Sequence, residues 1–518
     1  MSPLGNRLSP TTRRREIWDA IILGSGFAGS LLGWILAKRG WRVMIVDPGR
    51  HPRFAVGESS TPTADFLLSH LADRWGLSEL APLATWGSWK ASYPDLICGK
   101  KRGFSYYRHF PNRPFVDTPA HDHSLLVAAS SDDSTSDTHW LRSSVDAFIA
   151  ARAVDSGVAL SEESKLTQAR FDPSDRIWDA IVTSPAGRRP LKTRWLIDAS
   201  GGAAASATWT DNPVDQAWMR TRTRATFAHF EGVRPFAPLV CPRALFAGDD
   251  AAQHHLLDDG WVWMLRLDNG TTSVGIVRSA SPTCRRRSID AAQESSDAGR
   301  WWDELNAYPS LAESLANARR ITPADSPIVT GRISRCRSRA AGPGWAMLPA
   351  AFGIVDPLHS TGIAHSLSGA ARLAEILLGD GRRIPTALAR YSRDLRTEVR
   401  WIDTLVAGCY RALPSFDRFT AFAAFYFLST IGFERAMKRD PLHWPDGLLG
   451  CQDAGMVSAA EQAWNLVGDD SIDDRRYVES VRRLVAPWNS IGWLDPAHGN
   501  RYRHTAAPKA AVSLPPVP

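Results

Sequence analysis

Cysteine is scarce and scattered. The six thiols, Cys98, Cys241, Cys284, Cys336, Cys409 and Cys451, form no CxxC pair and no metal-ligand spacing. A disulfide framework and a structural zinc site are therefore excluded, and reduced, mostly buried thiols in a cytoplasmic protein are expected. No run of about 18 uncharged apolar residues occurs, so no membrane span is expected. No arginine-rich stripe interleaves with aromatics, and no motif that reads DNA or RNA is present. Charge of one sign is also in short supply: 61 Lys and Arg against 54 Asp and Glu leave +7 over 518 residues. That excess suits small anions and gives no reason to expect nucleic acid. Internal repeats and long linkers are missing too. What is left is a globular chain, 44% hydrophobic and 22% charged, long enough for more than one interleaved domain.

Arg13-Arg14-Arg15 precede an apolar stretch in the manner of a twin-arginine signal. Asp19 interrupts that stretch, and cleavage would destroy the glycine turn inside it. Residues 1–15 are read as a solvated basic tail. Residues 17–23 have the look of a buried strand, Ser30–Arg39 has helical apolar spacing ended by Gly40, and Trp41–Val46 reads as a second strand. This is a βαβ unit. Residues 120–137, rich in Asp, Ser and Thr, read as an exposed loop. A helix is expected over 140–154, and strands over 157–198 with turns at Pro173-Ser174-Asp175 and Pro185-Ala186-Gly187. Alternation over 223–231 and 261–278 predicts a second sheet. Residues 363–378 predict a helix, 385–483 read as mostly helical, and the tail from Thr505 reads as disordered.

Six segments carry candidate chemistry. Gly24-Ser25-Gly26-Phe27-Ala28-Gly29 lies between strand and helix, where glycines admit a pyrophosphate and the helix N-terminus offers oriented N–H groups. Asp47 ends the second strand, where it can accept a ribose hydroxyl. Val56-Gly57-Glu58-Ser59-Ser60-Thr61-Pro62 reads as a helix entry, with Thr61 at the cap and Pro62 in the first turn. An apolar strand runs into Asp198-Ala199-Ser200-Gly201-Gly202. Gly353-Ile354-Val355-Asp356-Pro357-Leu358-His359-Ser360-Thr361-Gly362 leads into a helix, and its backbone N–H groups can form a nest for an anion or a carbonyl. Trp261 and Trp263, in Gly260-Trp261-Val262-Trp263-Met264-Leu265-Arg266, share a strand face. In Lys100-Lys101-Arg102-Gly103-Phe104-Ser105-Tyr106, Arg102 is expected to favour a neutral, nucleophilic Lys101 amine by like-charge repulsion.

Together these segments, spread over residues 19–365, resemble the flavin-dependent halogenase (tryptophan halogenase-like) branch of the FAD-dependent oxidoreductase superfamily. The quoted stretches match G-E-S/A-T-x-P, G-x-x-D-P-x-x-S-x-G, G-W-x-W-x-I-P and K-x-G-x-x-F. The resemblance implies an α/β, glutathione-reductase-like FAD-binding Rossmann fold interleaved with a β-sheet substrate domain, plus a mainly helical C-terminal region. It assigns 16–115, 190–215 and 325–380 to FAD, 116–189 and 216–324 to the substrate-side sheet, and 381–504 to the helical region. Residues 1–15 and 505–518 are left as tails. FAD would be held by Gly24, Gly26, Gly29, Asp47, Glu58, Ser59, Asp198, Gly201, Asp356, Pro357, Thr361 and Gly362. Halide would bind at Ser360, Thr361 and Gly362, with Trp261 and Trp263 partitioning flavin from substrate. A separate flavin reductase would supply FADH2, which with O2 and halide gives hypohalous acid. Lys101 would pass the halogen to an electron-rich aromatic substrate, free or carrier-tethered, with His359 as a second catalytic group.

The sequence departs from the family at three points. Met347-Leu348-Pro349-Ala350-Ala351-Phe352 lacks the Gly-Asp whose carboxylate meets the ribityl chain, which implies altered FAD binding. His359 stands where tryptophan halogenases carry glutamate. Leu265-Arg266 replaces Ile-Pro. These leave open an FAD-dependent monooxygenase, a geranylgeranyl-reductase-like enzyme, or a flavin-binding protein without catalysis. The expected class throughout is an FAD-dependent oxidoreductase.

Overall fold

A computed structural model describes residues 17–236, 245–279, 301–440 and 445–503. The two tails, Arg13 to Arg15, Cys241 and Cys284 lie outside those residues. The remaining four cysteines are free and buried.

The chain begins with β1 (Ile17–Leu23), the helix Phe27–Lys38 and β2 (Val43–Val46). Both strands are apolar runs buried on two faces, as a parallel sheet requires. Next come β3 (Cys98–Lys101), β4 (Gly103–Arg108), β5 (Ser124–Ala128) and β6 (Asp137–Trp140). The helix Arg142–Asp155 follows, then β7 (Ala159–Ser161), β8 (Lys165–Asp172), β9 (Ile177–Ser184) and β10 (Gly187–Asp198). The second half contributes β11 (Thr223–Glu231), β12 (Ala252–Leu256), β13 (Gly260–Arg266) and β14 (Thr272–Ser279).

Two large sheets result. In the first, β10, β1, β2 and β7 lie side by side and parallel, extended by Trp345–Met347 next to β10. β10 is long enough to serve two partners. Its C-terminal half pairs with β1, and its N-terminal half forms an antiparallel ladder with β9. The second sheet runs β11-β14-β13-β12-β4-β5, antiparallel except that β12 and β4 are parallel. Four long helices close the C-terminal part: Ile384–Ala412, Phe416–Arg439, Ala454–Val467 and Asp474–Val485. The aromatic run at 419–427 is buried throughout.

Two expectations are corrected. The loop expected over 120–137 contains β5, whose Ser-Leu-Leu-Val-Ala is buried at every residue. The polar residues around it masked a five-residue core strand. The expected division of the chain also shifts. β4, inside the range assigned to FAD, belongs to the substrate-side sheet, whereas β7, β8 and β9, assigned to the substrate side, extend the β1 sheet. Strand pairing is non-local, and the hydrophobic pattern of a strand does not name its neighbour.

Candidate functional site

The glycine loop has the form its chemistry requires. Gly24 takes φ +106°, and a Cβ on Gly29 would meet the Gly24 carbonyl oxygen at 2.3 Å, so both glycines serve the turn itself. Gly26 differs. A Cβ there would find its nearest neighbours at 3.7 and 3.8 Å, ordinary contact distance, so packing does not demand glycine at that point. Gly26 caps the helix Phe27–Lys38 without any side-chain cap bond, leaving the first-turn N–H groups without a side-chain acceptor. Glycine kept where the protein does not need it, beside open helix donors, fits a phosphate group approaching the backbone.

Asp47 follows β2 as expected and lies against the glycine loop. Its Oδ2 accepts from Ser25 N at 2.6 Å, Ser25 Oγ at 2.8 Å and Arg53 Nη2 at 2.9 Å, and Oδ1 accepts from Gly49 N at 2.7 Å. Burial opposes ionisation, but these bonds outweigh it and hold the carboxyl below its usual range. Asp47 therefore ties the glycine loop to β2, and a ribose would have to share its oxygens. Asp198 does similar work. It accepts from Ser200 N at 3.0 Å, Ser200 Oγ at 2.6 Å and Ser206 N at 2.7 Å, fixing the turn through Gly201 at the end of β10.

A cavity of about 460 Å³ lies between the Gly353–Ile363 segment and the second sheet. Glu58, Ser59, Asp356, Pro357, Ser360, Thr361 and Gly362 line one side; Trp261, Trp263 and His254 line the other. This brings together every site residue expected from the Gly57 and Gly353 segments except His359. Ser360 sits in the left-handed region at φ +52°, so the chain reverses and enters the helix Gly362–Leu378 with no side-chain cap at Thr361. The Ser59 hydroxyl is buried beside the cavity without a partner.

Buried acids in this wall are tied down by residues from remote parts of the chain. Glu58 Oε1 is hydrogen-bonded to His229 Nε2 at 2.7 Å. Asp356 Oδ2 accepts from Thr223 Oγ1 at 2.6 Å and from the Tyr410 hydroxyl at 3.1 Å, and Oδ1 accepts from Leu358 N at 3.0 Å. Burial nevertheless pushes the Asp356 carboxyl up to about 6. Trp261 and Trp263 share the cavity-facing side of β13, with ring centroids 6.0 Å apart. Trp263 lies on Gly275 of β14, where a Cβ would be 2.2 Å from its ring.

Lys101 does not line this cavity. It is fully buried, donating to the Ser60 carbonyl, with its ammonium 4.1 Å from the centroid of the Phe104 ring. His254 links the cavity to the rings around Lys101. It lines the cavity, stacks on Trp261 at 5.0 Å and Tyr106 at 4.4 Å, and lies 5.9 Å from Phe104. Burial, and then the Lys101 charge, lower His254 and His139 to about 3, so both rings are neutral. The Tyr106 hydroxyl is buried without a hydrogen-bond partner.

Two sequence arguments fail on this geometry. Arg102 does not act on Lys101. Arg102 lies between β3 and β4, and its guanidinium is taken up by Asp133 at 2.7 Å and the carbonyls of Ser130 and Ser131. His359 does not reach the cavity either. Its ring is stacked on Tyr426, 4.2 Å between centroids and 5° from parallel, with Nε2 3.6 Å from Cys409 Sγ. Burial lowers it to about 3, which makes it a poor base. His229, His254, Tyr410 and Tyr426 went unread in the sequence, because helical and strand periodicity mark a buried face without naming what it meets.

With this geometry in place, a protein-family model described as tryptophan halogenase matches residues 136–419. The chain belongs to the tryptophan halogenase family. It is a halogenase-like, FAD-dependent oxidoreductase. Monodechloroaminopyrrolnitrin halogenase PrnC of Pseudomonas fluorescens is 26% identical over 426 residues, covering 80% of this chain and 71% of that protein. The tetracycline 7-halogenase of Kitasatospora aureofaciens is also 26% identical, covering 81% and 75%. A brominase of Pseudoalteromonas luteoviolacea, named for a pyrrole-2-carbonyl group on a peptidyl carrier protein, is 24% identical, covering 70% and 77%. Among solved structures, halogenase PltM in complex with phloroglucinol and FAD superposes with a TM-score of 0.81 at 22% identity, covering 93% of this chain and 99% of that one. Among the described residues no helix is long and apolar enough to cross a membrane.

Proposed function

We propose that this chain halogenates an electron-rich aromatic substrate, using halide, O2 and FADH2 delivered by a separate flavin reductase. The observation that carries the reading is a cavity beside the Asp356–Gly362 loop, lined by Trp261, Trp263 and His254, with a fully buried Lys101 reached from it through the His254 and Phe104 rings. When bound, FADH2 supplies two electrons to O2, which takes the other two from halide and so converts it to hypohalous acid. The protein's part is placement and exclusion of water. Gly24, Gly26 and Gly29 would cradle the pyrophosphate, while Asp47, Asp198 and Gly201 keep that loop in shape. Glu58, Ser59, Asp356 and Pro357 would border the flavin ring. The N–H groups around Ser360, Thr361 and Gly362 would hold halide. Lys101 would receive the halogen and hold it over the ring of the substrate, bounded by Phe104, Tyr106 and Tyr426. His359 would shape that boundary through its stack on Tyr426. Small phenols and pyrrole-type rings, free or carrier-bound, are the substrates this chemistry suits.

The test is Lys101→Ala, with reduced flavin, bromide and a phenolic probe. Halide-dependent flavin reoxidation is expected to continue while brominated product disappears. Product formed at the wild-type rate by the variant removes Lys101 from the mechanism. Hydroxylated product from the wild type, indifferent to halide, makes the protein a monooxygenase instead.

A further inference from the structure

Two imidazoles line the flavin-side cavity among the described residues, and their surroundings differ. His254 is enclosed by aromatic rings and held neutral. His365, in the first turn of the helix Gly362–Leu378, faces a carboxylate. Its Nε2 lies 3.1 Å from Oε2 of Glu398, on the neighbouring helix Ile384–Ala412. Glu398 has no exposed surface. Its Oε2 also accepts from Arg372 Nη2 at 2.8 Å, and its Oε1 from Leu448 N at 3.0 Å. Burial opposes ionisation, yet the Arg372 charge and the His365 bond more than compensate and hold the carboxyl at about 2. An ionised carboxylate fixed on Nε2 makes that nitrogen the donor and leaves Nδ1 to serve the cavity. Tyr391, Asp394 and Cys451 are the further titratable groups packed around Arg372 and Glu398 among the described residues.

The proposed reaction needs such a group. Its balance is FADH2 + O2 + X⁻ + H⁺ → FAD + HOX + H2O. O2 takes two electrons from FADH2 and two from halide; one oxygen atom leaves as water, the other bonds to the halogen, and one proton is taken up for each hypohalous acid.

We propose, resting on the halogenase reading, that His365 donates this proton into the cavity and that Glu398 is its positioning residue. The ring gives a proton from Nδ1 to an oxygen atom of the reacting pair while its Nε2–H stays on Glu398. Water admitted between turnovers restores the Nδ1 proton. Arg372 keeps the carboxylate from being protonated in its turn.

Hypohalous acid formation, measured by trapping on taurine with the holoenzyme, tests this. His365→Asn is expected to slow trapping about 100-fold, the scale of lost proton transfer, with unchanged FAD affinity and partial rescue by added imidazole. Glu398→Gln is expected to give a smaller loss and a larger solvent deuterium isotope effect. Proton NMR of the flavin-free chain supplies a readout independent of turnover. A downfield ring N–H resonance is expected in the wild type, absent in His365→Asn and shifted upfield in Glu398→Gln. Wild-type trapping rates and isotope effects in both variants overturn the assignment while leaving the halogenase reading intact. Failure of the wild type to trap any hypohalous acid removes both.

Discussion

Trp261 Nε1 donates to the Tyr410 hydroxyl at 2.7 Å, and that hydroxyl donates in turn to Asp356. One side chain from the C-terminal helices thus joins the wall of the cavity to the acid of its loop. Both ends of the chain of bonds are buried, so neither can turn to water instead. Tyr410→Phe leaves an indole N–H unpaired and an acid with one donor fewer. The expected loss is about 1–3 kcal/mol of stability, read as a lower urea midpoint with unchanged slope. Removal of a donor from the carboxylate also moves Asp356 further above about 6. A variant as stable as the wild type would mean that the indole and acid find other partners.

The contact between Gly275 and Trp263 sets the shape of the same wall. Nothing but hydrogen fits beneath the indole. Gly275→Ala is expected to tilt Trp263 into the cavity, costing about 1–3 kcal/mol and weakening FAD binding at least several-fold, as measured by flavin fluorescence titration. Wild-type affinity in a folded variant would show that the cavity tolerates the tilt. Gly26→Ala offers the contrast: near-wild-type stability is expected, since its added methyl has room, together with a clear loss of FAD affinity.

The sequence announced some of this site and hid the rest for identifiable reasons. The glycine loop, the Trp261–Trp263 pair and the Asp356–Gly362 loop were legible because each is local: a turn, a period of two, a helix entry. Tyr410, Glu398 and Tyr426 were not. They come from helices whose apolar spacing says which face is buried but not against what. The supposed influence of Arg102 on Lys101 failed because its guanidinium is held by Asp133 and two carbonyls, although the two residues are adjacent in the chain. β5 was lost because five apolar-rich residues are too short a run to stand out between polar neighbours.

The Glu58–His229 pair invites a different substitution. The two side chains are 95% or more buried and 2.7 Å apart. His229→Phe removes the only side chain seen to hydrogen-bond Glu58 among the described residues, a change expected to cost about 3–5 kcal/mol if the acid stays charged. His229→Gln keeps a donor at that place and is expected to recover most of the loss. Equal stability of the two variants in urea unfolding would show that ring packing against Phe54, at 4.9 Å, matters more than the bond.

Acid stability follows from five buried imidazoles held without protons. Burial lowers His109, His139, His254 and His359 to about 3, and His255 well below its ordinary value. Unfolded, each takes up a proton near pH 6.5. The unfolded state therefore binds more protons below that pH, and stability present above 6.5 is lost as pH falls toward 3. The loss is about 3 kcal/mol for each ring by pH 4. Asp356, raised to about 6, works in the opposite direction, gaining stability as pH falls from 6 toward 4 and offsetting roughly one ring. Glu398, lowered to about 2, adds its own loss only below about pH 4.5. His359→Phe isolates one ring, because phenylalanine retains the stack on Tyr426 but cannot titrate. The variant is expected to match the wild type within about 1 kcal/mol at pH 7 and to exceed it by about 2 kcal/mol at pH 5. Urea unfolding at the two pH values measures this directly. Parallel curves for the two proteins would mean that His359 gains its proton in the folded state after all, through an opening of the Tyr426 stack.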